Sequence, residues 1–163
     1  MKYALLIVWI CCLASIAGEH GRSDRDVEVR VAAVNALRLA GPNVRAACPS
    51  ILKATSDQSP AVRIAVIGAL SAIDPKSKES IAAFLDLSAD IDPAVRRAAG
   101  RALAKIADDD IIAALLKRLK DPSPQIRRGA ADALREFNKV PAPALPVLAE
   151  MLHDQGQDLD AAG

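Results

Sequence analysis

The sequence predicts an all-α solenoid, a row of stacked antiparallel helix pairs, and three observations predict it. One phrase returns four times: "SPAVRIAVIGAL" at Ser59, "DPAVRRAAGRAL" at Asp92, "SPQIRRGAADAL" at Ser123 and, more loosely, "DVEVRVAAVNAL" at Asp26. Aligned on their arginines (Arg30, Arg63, Arg96 and Arg127), the copies lie 33, 33 and 31 residues apart, a period that marks a repeat architecture. The 163-residue chain is 52% apolar yet has only four aromatic residues, so its core must be built from Ala, Leu, Ile and Val. Such small side chains suit closely stacked helices and offer no platform on which bases could stack.

Taken in chain order, the first segment stands apart. "MKYALLIVWICCLASIAGEH" has one early Lys, an uncharged run from Tyr3 to Gly18, and Ser15 and Ala17 at the −3 and −1 positions of a cleavage site. It reads as a secretory signal peptide over residues 1–17, followed by a short linker at 18–23. Export to the periplasm or the medium is therefore expected, with membrane tethering by an uncleaved signal anchor as the alternative. The run is short for a transmembrane span, which needs about 20 residues. Cleavage would leave Cys48 as the sole thiol, hence no intrachain disulfide.

Residues 24–154 form the repeat array. An acid stands six positions before each aligned arginine (Asp24, Asp57, Asp90 and Asp121), and Asp154 begins a further turn. Each turn leads into a helix B. Ser59-Pro60, Asp92-Pro93 and Ser123-Pro124 place an N-cap before a proline at the first helical position. Val29, Val62, Val95 and Ile126, then Leu37, Leu70, Leu103 and Leu134, recur at helical spacing. Ala32, Ala65, Ala98 and Gly129 are small enough to let a neighbouring helix approach closely. Between the B helices runs a second apolar register: Cys48, Ile81, Ile112 and Leu145, then Ile51, Phe84, Leu115 and Leu148, then Thr55, Ser88, Leu119 and Leu152. This is helix A, with Pro49 and Pro146 in its first turns, where a missing N–H costs little. Each unit buries its apolar face only against its neighbours. Residues 155–163 are a tail or a truncated repeat.

The turn D-x-x-P-x-V-R-x-x-A, as at Asp90 to Ala99 and, with Val66 last, at Asp57 to Val66, resembles the HEAT repeat. More narrowly it is similar to the short HEAT-like unit of phycobilisome lyases, over roughly residues 24 to 154. The resemblance implies a right-handed, HEAT/armadillo-like superhelix. It also implies a structural ladder of Asp24, Arg30, Asp57, Arg63, Asp90, Arg96, Asp121 and Arg127 running between adjacent repeats and ordering the turns. The first unit departs from the pattern, with Val27 in place of the proline.

Charge is nearly balanced over the chain, 21 basic against 20 acidic residues, so no global field steers nucleic acid or an anionic membrane. Locally, Ile91 to Val140 holds eleven basic and seven acidic residues. Arg97, Arg101 and Lys105 on one helix B, with Arg128 and Arg135 on the next, form a candidate partner-binding basic face. In HEAT-like arrays the B helices usually line the concave surface. A solvated, salt-bridged face is the bland alternative; a groove for an acidic protein or polyanion is the functional one. Lys117, Arg118 and Lys120 on helix A spread the charge and argue against nucleic acid.

No catalytic, metal or cofactor site is expected. Cys48 shares the register of Ile81, Ile112 and Leu145 and reads as a small core residue, with neither His20 nor His153 placed to serve it as a base. Asp108, Asp109 and Asp110 cap the helix they open rather than ligate a metal. The expected function is an exported, non-catalytic scaffold that binds another protein through its helix-B face or a terminal repeat. A bilin-lyase-like enzyme or chaperone is the alternative raised by the resemblance, and a polyanion- or nucleic-acid-binding solenoid stands third. Self-association through terminal repeats is also expected, because Leu145, Leu148 and Leu152 lack a covering helix B. No membrane partner is expected once the signal peptide is removed.

Overall fold

The computed structural model describes residues 24–137 and 141–150, with the side chains of Asp24 and Arg25 outside that description. The signal segment 1–17, the linker 18–23, His20, Leu152, His153, the turn at Asp154 and the tail 155–163 all lie outside the described residues. The chain divides into two compact units, Met1–Leu87 and Ser88–Gly163. Among the described residues the regular structure is entirely helical.

The first unit holds α1 (Asp24–Ala40), a 3-10 segment (Gly41–Ala47), α2 (Cys48–Lys53), a 3-10 turn (Ala54–Ser56), α3 (Pro60–Ile73) and α4 (Lys78–Leu87). α3 is its centre, packed against α1, α2 and α4. Ile51, Val62, Val66, Leu70, Ile73 and Phe84 form the buried core. α1 ends at Gly41, whose φ of 59° is left-handed, the conformation in which glycine most readily stops a helix. α1 begins at Asp24, two residues before the expected start. Val27 stands where the other units have proline, and only a proline forces the residue before it out of helical conformation. Val29 is 66% exposed, and Ala32 is exposed too, so the first helix B buries its stripe only towards its end, at Val34 and Leu37.

The second unit holds α5 (Pro93–Ile106), α6 (Asp109–Leu119) and α7 (Pro124–Arg135), with residues 144–150 again helical. α7 packs against both α5 and α6. Val95, Leu103, Leu115, Leu119 and Leu134 are fully buried between them. Gly129 is the close contact foreseen for the small position. A Cβ there would run into the Ser88 carbonyl oxygen and come within 2.7 Å of Ala89 Cα, so only glycine lets α7 lie against that backbone.

The prolines set the helix starts as expected: Ser59, Asp92 and Ser123 are extended, with ψ of 122°, 125° and 118°. Only Asp92 caps with its side chain, accepting from Ala94 N at 2.8 Å and Val95 N at 3.2 Å. The Ser59 and Ser123 hydroxyls make no cap bond. At Ser59 the N–H of Val62 is already engaged by the Ser59 backbone carbonyl, at 3.1 Å. What closes all three turns is the acid two residues earlier. Asp57, Asp90 and Asp121 accept from the backbone N–H of Ser59, Asp92 and Ser123 at 2.8, 2.8 and 2.9 Å.

Helix A keeps the expected register at Ile51, Phe84, Leu115, Ser88 and Leu119, all buried, and corrects it at the first position. Cys48, Ile81 and Ile112 are half-buried and Leu145 is 57% exposed, whereas Ser80, Ile111 and Ala144, one residue earlier, are buried. The inward stripe runs in steps of four, as in Ser80 and Phe84 or Ile111, Leu115 and Leu119, and residues four apart share a helix face. Cys48 therefore sits at the edge of the core rather than in it.

Candidate functional site

α5 turns Val95, Ala99, Ala102 and Leu103 inward, which leaves Arg97 and Arg101, four apart, on its exposed face. α7 turns Ala130, Ala133 and Leu134 inward and exposes Arg128 and Arg135. Gly100 brings the two helices together, since a Cβ at that position would meet Ala133 Cα at 3.0 Å and Glu136 Cγ at 3.1 Å. The result is an open cleft of about 510 Å³ lined by α5 and α7.

Arg96 forms its floor, 7% exposed. Its Nε donates to Asp132 Oδ2 at 3.0 Å, and its Nη1 donates to the carbonyls of Asp90 and Ile91, each at 3.0 Å. Asp132 also receives Arg135 Nη1 at 3.4 Å, and Arg101 Nε donates to Glu136 Oε2 at 2.9 Å. Arg97 and Arg128 also line the cleft, are exposed, and make no hydrogen bond or ion pair among the described residues. Four of the five basic residues singled out in the sequence thus converge. Lys105, a turn beyond Arg101, is exposed but does not line the cleft. The sequence reading missed Asp132 and Glu136. Asp132 four residues after Arg128, and Glu136 four after Asp132, were the available signal.

The turn arginines hold the backbone of their own turns, a local bond that the implied ladder between repeats does not include. Arg63 Nη1 donates to the carbonyls of Asp57 and Gln58, at 2.7 and 3.1 Å. Arg127 Nη1 does the same to Asp121 and Pro122, at 3.0 and 2.9 Å. Each arginine so closes the turn that precedes its own helix. A rung between neighbouring repeats is formed by Arg30 and Asp57, at 2.9 Å. Arg96 takes a different carboxylate, Asp132 of α7, and so joins the ladder position to the cleft.

The Cys48 thiol is pushed above its ordinary pKa by burial first and by the nearby Asp74 carboxylate second, which disfavours the nucleophilic thiolate. Asp108 accepts from Ile111 N at 2.9 Å, and Asp109 and Asp110 occupy the first turn of α6, so this acidic run is spent on starting the helix. Among the described residues no three His, Cys, Asp or Glu side chains gather as a metal site would require. No described helix is long and apolar enough to cross a membrane.

Helix pairs joined by turns that an arginine and an aspartate close from within, repeating at about 33 residues, define a helical-repeat protein. The chain belongs to the HEAT-repeat family, which it matches over residues 19–91 and 81–162. No curated protein matches it closely enough to count as a relative.

Proposed function

We propose that the protein is a non-catalytic HEAT-repeat scaffold that binds another protein through the cleft of α5 and α7. The observation that carries this reading is the pair Arg97 and Arg128, two exposed guanidiniums on packed helices with no partner among the described residues. Both guanidiniums keep their donors available for a ligand, and the packed helices fix where each is presented. The raised pKa of Cys48 disfavours the thiolate that a cysteine nucleophile needs.

A random peptide library panned on the immobilised full-length protein tests the reading, with counter-selection on Arg97→Glu/Arg128→Glu. Peptides retained by the wild type and lost by the variant are expected. Recovery of none, or equal retention by both proteins, rejects the cleft as a binding face. We further propose that the scaffold acts after export, with residues 1–17 removed, supported by the leader pattern ending at Ser15 and Ala17. The intact mass of the exported form should begin at Gly18, and a chain that keeps Met1 to Ala17 would contradict it.

A further inference from the structure

We propose that the occupant of the α5/α7 cleft is a short acidic segment of the partner protein, its carboxylates seated on Arg97 and Arg128. This rests on the protein-binding reading above and names the chemistry of the partner.

The cleft is lined by five arginines and two carboxylates, an excess of three positive charges in a chain whose net charge is only +1. The excess is therefore local to this cleft. Like charges held this close repel, and the two guanidiniums that are unpaired among the described residues are where an added anion gains most. Arginine presents a planar fork of donors that takes a carboxylate in two parallel bonds. Arg101 and Arg135 at its rim already take carboxylates, Glu136 and Asp132, through one contact each.

A cleft of about 510 Å³ holds a few side chains, not a folded domain. Nucleic acid fits the same charge less well. Asp132 and Glu136 would stand against its phosphates, and no aromatic side chain lines the cleft to stack a base.

The test titrates fluorescein-labelled hexaglutamate into the full-length protein, beside labelled hexalysine and a labelled DNA duplex at the same ionic strength. Arg97→Glu/Arg128→Glu is compared with a charge-matched control, Lys76→Glu/Lys117→Glu, whose lysines are exposed and lie outside the cleft. Circular dichroism melts confirm that both variants fold. We expect hexaglutamate to bind best, the control to stay within about twofold, and the cleft variant to bind at least about tenfold more weakly, as for lost charge-assisted bonds. Equal losses in both variants, preference for DNA, or no hexaglutamate binding would each overturn the assignment. If panning returns cleft-dependent peptides that are not acidic, only the acidic assignment falls. If panning returns none, the binding reading falls with it.

Discussion

Arg30 and Asp57, 27 residues apart, are joined by two parallel bonds, Nε to Oδ2 at 2.9 Å and Nη2 to Oδ1 at 3.1 Å. Both side chains are largely buried, and Asp57 also accepts from Ser59 N. Arg30→Ala should cost about 1.5–3 kcal/mol, the range for hydrogen bonds to charged groups. Asp57→Ala should cost more, because it also opens the turn and leaves Arg30 with a buried, unpaired charge. In a double-mutant cycle by urea melts, the two losses should fall short of additive by about 1 kcal/mol or more. Strict additivity would mean that the rung contributes nothing.

Neighbouring arginines should behave as different residues. Arg96, buried and bonded to Asp132 and two carbonyls, should cost about 1.5–3 kcal/mol when changed to Ala. Arg97→Ala should cost under about 0.5 kcal/mol, as a surface change. Equal losses in denaturant melts would contradict the assignment of one to the turn and the other to the cleft.

Gly129→Ala sets two effects against each other. Helix propensity alone would stabilise α7 by about 1 kcal/mol. The added methyl meets backbone at Ser88 and Ala89, which cannot swing aside as a flexible side chain would. Overpacking of this kind costs about 1–3 kcal/mol, so a lower melting temperature is expected. An unchanged or higher one would show that α7 need not lie against that turn.

The helix caps divide the same way. Asp92→Ala should destabilise by about 1 kcal/mol, the usual loss for an N-cap that accepts backbone N–H bonds. Ser59→Ala and Ser123→Ala should lose only a few tenths, since neither hydroxyl caps its helix. Thermal melts of the three single variants would expose a cap bond at either serine as a loss matching that of Asp92→Ala.

Cys48 offers a pH readout. Its thiol pKa is raised in the folded chain, so at a given mildly alkaline pH less thiolate is present than in the unfolded chain. Alkylation of Cys48, followed on its own peptide by mass spectrometry, should be slower folded than in urea. Asp74→Asn should speed it, because the Asp74 carboxylate disfavours the thiolate. The sign for stability follows. The protonated thiol is the form the fold favours, so this contribution holds at neutral pH and fades as pH rises past the unfolded thiol's pKa. A folded rate equal to the unfolded one would remove the shift.

The arginine phase was legible because it repeats. Four copies of Val/Ile-Arg with a Leu seven residues on fix the B helices, and Leu37, Leu70, Leu103 and Leu134 are all buried. Helix A was legible at Ile51, Phe84, Leu115 and Leu119, which are buried, and off by one residue at its first inward position. Ile81 and Ile112 are as apolar as Ile111 and more so than Ser80, and hydropathy cannot tell which of two adjacent positions faces inward. Ser80 is buried because its hydroxyl bonds the Ser77 hydroxyl at 2.9 Å, a local solution that no apolar pattern announces. In the cleft, the arginines stood out as a cluster. That Arg97 and Arg128 would be left without partners depended on where Asp132 and Glu136 point, which spacing alone does not give.

The turn arginines reach back only five and six residues for the carbonyls they hold. Every such clasp is complete within a dozen residues of chain, so a turn can set as soon as its own segment has left the ribosome. Contacts this close in sequence also make for fast folding. Evolution can then lengthen or shorten the molecule by duplicating or deleting one whole period, because each copy brings its own fastening with it.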